Sequence, residues 1–171
     1  MLSLFDLSMY NKMPQLSDDG RTLVRVDPAD ISSDAFHGCT NLTHIIFSEC
    51  LTTIGSGAFQ GCTGLTEVTL PRDLIQFESR TFLGCTALER VRFPEGFIKI
   101  GLCAFRGCTS LTDITLPKRL THVSDGVFQG CTSLTDGSFP KGVTQIGLRL
   151  FWGCTNIKQA TFPESLVQIG S

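Results

Sequence analysis

The chain has 171 residues, 42% of them hydrophobic and 18% charged, with a formal net charge of −2. That is apolar enough to build a core and too weakly charged for a disordered polyelectrolyte. Its 14 Lys and Arg are scattered among 16 acids, which excludes a nucleic-acid footprint, and no apolar run reaches the roughly 18 residues of a membrane span.

Residues 1–22 stand apart from the rest of the chain. The start, MLSLFDLSMYNKM, is apolar, but Asp6 interrupts it and no Lys or Arg precedes it, so it is a poor secretory signal. The expectation is a cap or flanking segment over the open core, with Leu4, Phe5 and Leu7 facing inward; an expression remnant is the alternative. Asp18-Asp19-Gly20 is a turn signal, and Thr22–Val26 reads as a strand that pairs with the first full coil.

Residues 23–171 repeat with a period of 23 and no insertion or deletion, in about six coils of which the last is truncated. Gly-Cys-Thr recurs with its cysteine at Cys39, Cys62, Cys85, Cys108, Cys131 and Cys154. Phe36, Phe59, Phe82, Phe105, Phe128 and Phe151 keep the same period, as do Leu42, Leu65, Leu88, Leu111, Leu134 and Ile157. Pro71, Pro94, Pro117, Pro140 and Pro163 mark a further fixed place, held by Ser48 in the first coil.

Each unit divides by its own periodicity. In Leu65–Leu70, Val68 and Leu70 share one face and Glu67 and Thr69 the other, the alternation of a half-buried strand. Pro71 ends it, because proline cannot donate to a ladder. A second short extended piece comes next, as at Leu51–Gly55, then one tight helical turn, Ala58–Gly61, closed by a glycine able to adopt the left-handed conformation. Twenty-three residues are too few for a strand–helix–strand crossover, and one such coil alone buries too little to offset its ordering entropy. Stacked coils are therefore required, with stability carried by nearest-neighbour contacts.

The chain stops at Ile169-Gly170-Ser171, midway through a unit, with no polar cap in sight. Two expectations stay open: a fragment of a longer array, or self-association through this end.

The unit resembles the BspA-like (treponemal-type) leucine-rich repeat, with its central A-F-x-x-C followed by L-x-x-I-x-L-P, over roughly residues 31–170. The resemblance implies a repeat solenoid: a right-handed coil with a parallel β-sheet on its concave side, short second strands and single helical turns elsewhere. It also implies secreted or cell-surface proteins that bind other proteins, among them host matrix or cell-surface components. Gly137 and Ala160 depart from the usual Ile or Val, so the last two coils are expected to pack less well. Thr81 replaces an Ala, and Glu78 and Ser124 replace the Gly after the second strand.

Side chains pointing out of the first strand of each coil give the candidate partner-binding face. One column is His44, Glu67, Arg90, Asp113, Asp136 and Gln159; the other is Ile46, Thr69, Arg92, Thr115, Ser138 and Thr161. Glu89 and Lys158 flank them, and Arg90 and Arg92 form a basic centre between acidic neighbours. The bland reading of any one of these residues is a solvated face.

The six repeat cysteines line up in one direction, unlike the converging ligands of a zinc site, and read as buried small hydrophobes. Cys50 and Cys103 occupy polar repeat positions and are expected to be exposed thiols. The threonines Thr40, Thr63, Thr86, Thr109, Thr132 and Thr155 read as hydroxyls satisfying turn backbone. His37, His44 and His122 fall at three different repeat positions, so no triad or metal cluster can be drawn. The expectation is no catalysis, no cofactor, no metal, no nucleic acid and no membrane insertion.

Overall fold

The computed structural model describes residues 15–16, 21–26 and 30–170; the inward-facing Leu4, Phe5 and Leu7 of the expected cap lie outside them. Among the described residues twelve short strands are formed: β1 (Gln15–Leu16), β2 (Thr22–Val26), β3 (Asp30–Ile31), β4 (His44–Phe47), β5 (Thr53–Ile54), β6 (Glu67–Thr69), β7 (Arg90–Arg92), β8 (Lys99–Ile100), β9 (Asp113–Thr115), β10 (His122–Val123), β11 (Gln145–Ile146) and β12 (Gln168–Ile169). They stack as a parallel solenoid of about six turns, because a period of 23 brings the same repeat position of each coil beside the next.

One face carries β2 beside β4, then β6-β7-β9 in parallel, with Glu67, Arg90 and Asp113 in register. A parallel bridge between Asp136 and Gln159 continues it. A second row is built from β3-β5 and from β8-β10-β11-β12, with Lys99, His122, Gln145 and Gln168 aligned. Before the first regular coil, β1 pairs antiparallel with β2.

The Ala-Phe-x-Gly segment is a turn rather than the expected helical turn, and no helix occurs among the described residues. Its amides explain why. Phe82 N donates to Ala104 O at 2.9 Å and Gly84 N to Arg106 O at 2.8 Å, so these groups reach the next coil instead of closing a helix. Two left-handed residues per coil make this possible, such as Arg80 at φ 59° and Gly84 at φ 72°. A third hydrogen-bond ladder thus runs the length of the solenoid.

Inside, Phe36, Phe59, Phe82, Phe105, Phe128 and Phe151 stack nearly parallel with ring centroids 5.3–6.0 Å apart. Phe77, Phe93 and Phe97 form a second cluster against them. Coils approach closely after the second strand: a Cβ on Gly101 would lie 2.5 Å from Glu78 O. Where Glu78 itself stands in that place, its amide reaches Ile54 O only at 3.4 Å, against 2.8 Å for Gly55 N to Ile31 O. The strand is lost there too, leaving a single bridge at Gln76.

Gly137 and Ala160 behave differently. The Phe151 ring fills the space a side chain at Gly137 would take, its Cζ 2.8 Å from where a Cβ would sit, and Leu134, Phe139 and Val143 stay buried. The coil of Ala160 carries Phe162, Val167 and Ile169 exposed.

Candidate recognition face

The strands of the first sheet alternate as the sequence does. In β7, Arg90 and Arg92 are exposed and Val91 between them is buried. The same alternation leaves His44, Ile46, Thr69, Thr115, Asp136, Gln159 and Thr161 exposed, and Glu67 and Ser138 half-buried. Asp113 stands in register with Arg90. The result is two columns of side chains on a backbone fixed by coil-to-coil hydrogen bonds.

Charge on the face is organised around Glu67. Arg92 donates from Nε to Glu67 Oε1 at 2.9 Å, reaching diagonally to the preceding coil, and Arg90 Nη1 lies 3.8 Å from Oε2. The Arg92 hydrogen bond, then the charges of Arg92, Arg90 and His44, hold the Glu67 carboxyl below its usual range. The basic centre therefore carries one carboxylate between two guanidinium groups. Further along, Asp136 accepts from Ser138 N at 2.8 Å and Gln159 Nε2 at 3.1 Å, and its carboxyl is lowered, chiefly by Ser138.

Beside the columns lies a groove of about 890 Å³ that continues the face past the strand ends. Arg90 and Arg92 form one side, Lys118 and Arg119 the other, with Phe93 and Leu116 between. Reading the columns alone missed Lys118 and Arg119. A signal was there: the residue after each fixed proline is charged, as Arg72, Glu95, Lys118, Lys141 and Glu164.

The cysteine row lies in the interior. Cys62, Cys85, Cys108 and Cys131 are buried, while Cys39 and Cys154 in the end coils are half-buried. Each thiol from Cys62 to Cys154 donates to the carbonyl of the Phe 26 residues earlier, as Cys85 Sγ to Phe59 O at 3.1 Å. Burial pushes the Cys62 thiol up to about 12 and also raises those of Cys85, Cys108, Cys131 and Cys154. Thr109 and Thr132 likewise donate to the carbonyls of Thr86 and Thr109 at 3.3 Å, bridging coils.

Cys50 is exposed, whereas Cys103 is half-buried, which corrects the solvent position expected for it. The Cys103 side chain, like that of Asp34 at the same repeat position, lies against the following coil. A Cβ on Gly126 would come within 3.2 Å of Cys103 Sγ.

His44 and His122 contact Thr43 and Thr121 through Nδ1, on different sheets. Among the described residues no group of three or more His, Cys, Asp or Glu could hold a metal, and no helix is long and apolar enough to cross a membrane.

The family of BspA type leucine rich repeat regions matches residues 29–158 in six copies. The chain belongs to that family. Leucine-rich repeats generally mediate protein interactions. A leucine rich repeat protein of T. pallidum has the same fold at a TM-score of 0.81 and 28% identity, over 93% of this chain and 84% of that one. The pneumococcal vaccine antigen PcpA is similar in fold at a TM-score of 0.59 and 16% identity, over 90% of this chain and 58% of PcpA. No curated protein matches the BspA-type chain.

Proposed function

We propose that this chain is a non-enzymatic protein-recognition module that binds a partner, and serves adhesion, through the outward columns of its first sheet. The observation that carries the reading is the Glu67–Arg90–Arg92 cluster, its two arginines exposed and its strands in register on a stacked backbone. A surface ordered beforehand loses less entropy on binding, and mixed charge selects partners more than it adds affinity. The family's general role in protein interaction supports it. A cell-surface or secreted setting and a host-matrix or cell-surface partner are part of the proposal.

The test is capture from matrix and host-cell extracts by the wild type and by a Glu67→Lys, Arg90→Glu, Arg92→Glu variant. The variant swaps the charges of the cluster, so its internal pairing survives while the field presented outward inverts. Circular dichroism checks its fold. A protein taken by the wild type alone supports recognition through the columns. Equal capture, or none, overturns it and leaves a passive spacer within a longer surface protein.

A further inference from the structure

The coils repeat, but their grooves do not. The groove two turns earlier, about 550 Å³ between Ile46 and Arg72, has its cation neutralised, because Arg72 is paired with Glu49 of the coil before. In the larger groove the matching place holds Lys118, with Arg119 beside it, and both are exposed. Among the described residues neither makes an ion pair. Across from them, Arg90 and Arg92 share the single carboxylate of Glu67. Glu95 is the one acid in the lining. Among the described side chains that line the groove or pair with its lining, four cations thus face two carboxylates, Glu67 and Glu95, an excess of two positive charges.

The floor has a different chemistry. Val91 and Pro117 are buried beneath it, and Phe93 and Leu116 are half-buried, so an apolar strip runs between the two basic walls. A depression of this size with an apolar floor and a few convergent charged groups has the build of a ligand site. An anionic polysaccharide would use the walls and leave the floor idle. A peptide with carboxylates on either side of an apolar side chain uses both.

We propose that this groove binds an acidic peptide segment of the partner, one apolar side chain seated on Phe93 and Leu116 and its flanking carboxylates on Arg90, Arg92, Lys118 and Arg119. The assignment rests on the recognition reading above and names the chemistry of what is recognised. Complementary charge then sets the orientation of the segment and speeds its encounter, and salt weakens the complex.

Fluorescence anisotropy with a labelled peptide of aspartate and glutamate around one phenylalanine tests it. The wild type is expected to bind saturably, and Lys118→Glu/Arg119→Glu to bind about tenfold or more weakly. A Lys99→Glu/Arg149→Glu control, with the same change in charge on residues that line other depressions, stays within about twofold. Replacing the phenylalanine by serine weakens binding several-fold. The proposal is overturned if no saturation occurs up to about 1 mM, or if the Lys118/Arg119 variant binds like the wild type. It is also overturned if a heparin fragment outcompetes the peptide while the phenylalanine proves irrelevant, which makes a sulfated polymer the occupant. Capture of the partner from extracts is read in parallel. Retention by the Lys118/Arg119 variant with loss by the Glu67/Arg90/Arg92 variant ends the groove assignment and leaves the recognition reading standing; retention by both ends the two together.

Discussion

The Cys108 thiol donates to the carbonyl oxygen of Phe82 at 3.2 Å, and that oxygen also accepts the amide of Cys85. One sulfur thereby ties its own coil to the backbone of the coil before, which explains a cysteine where a small hydrophobe would fill the same volume. Removing it leaves a void and one hydrogen bond fewer inside a packed interior. Cys108→Ala is expected to cost about 1–2 kcal/mol in urea unfolding, and Cys39→Ala, half-buried in an end coil, less.

The same burial makes stability fall at high pH. A thiol in the unfolded chain ionises near its ordinary 9.0, whereas Cys62 in the folded chain holds its proton to about 12. Below pH 9 both states are protonated and the stabilisation is fully present; above it the unfolded state alone releases protons, and stability declines toward pH 12. The slope is up to about 1.4 kcal/mol per pH unit for each buried thiol. Urea midpoints measured on either side of pH 9 check it, and Cys108→Ala is expected to flatten the decline.

Thiol labelling of the native protein is expected to proceed in three classes. Cys50 reacts first, being exposed, and Cys103 more slowly because the following coil covers it. Cys62, Cys85, Cys108 and Cys131 react only on unfolding. Mass spectrometry of timed iodoacetamide reactions separates the classes.

Much of this was legible in the sequence because a strict period of 23 converts position in the chain into position in space. The Phe row, the buried cysteines and the outward columns all derive from that period and the alternation of a strand. Features that depend on contact between coils were not legible. The acceptor of each thiol lies 26 residues away, not 23, so periodicity alone does not reveal it. Cys103 shares its place with Arg80 and Arg149, which are exposed, but also with Gly57 and Gly126, which are buried. Polarity at that place said nothing of the axial overlap. The helical turn was misjudged for a related reason: two left-handed residues turn its amides toward the next coil.

Gly101 tests the closeness of that stacking. A methyl group there would stand 2.5 Å from the carbonyl oxygen of Glu78, backbone that moves only by separating two coils. Gly101→Ala is expected to destabilise by about 1–3 kcal/mol in thermal or urea unfolding.

The most direct test of the recognition reading is the affinity of the captured partner, by biolayer interferometry, for the wild type and for the folded Glu67→Lys, Arg90→Glu, Arg92→Glu variant. The account predicts a Kd at least about tenfold weaker for the charge-swapped face. Affinities within about twofold of one another would contradict it, because the partner would then be reading some other surface of the solenoid.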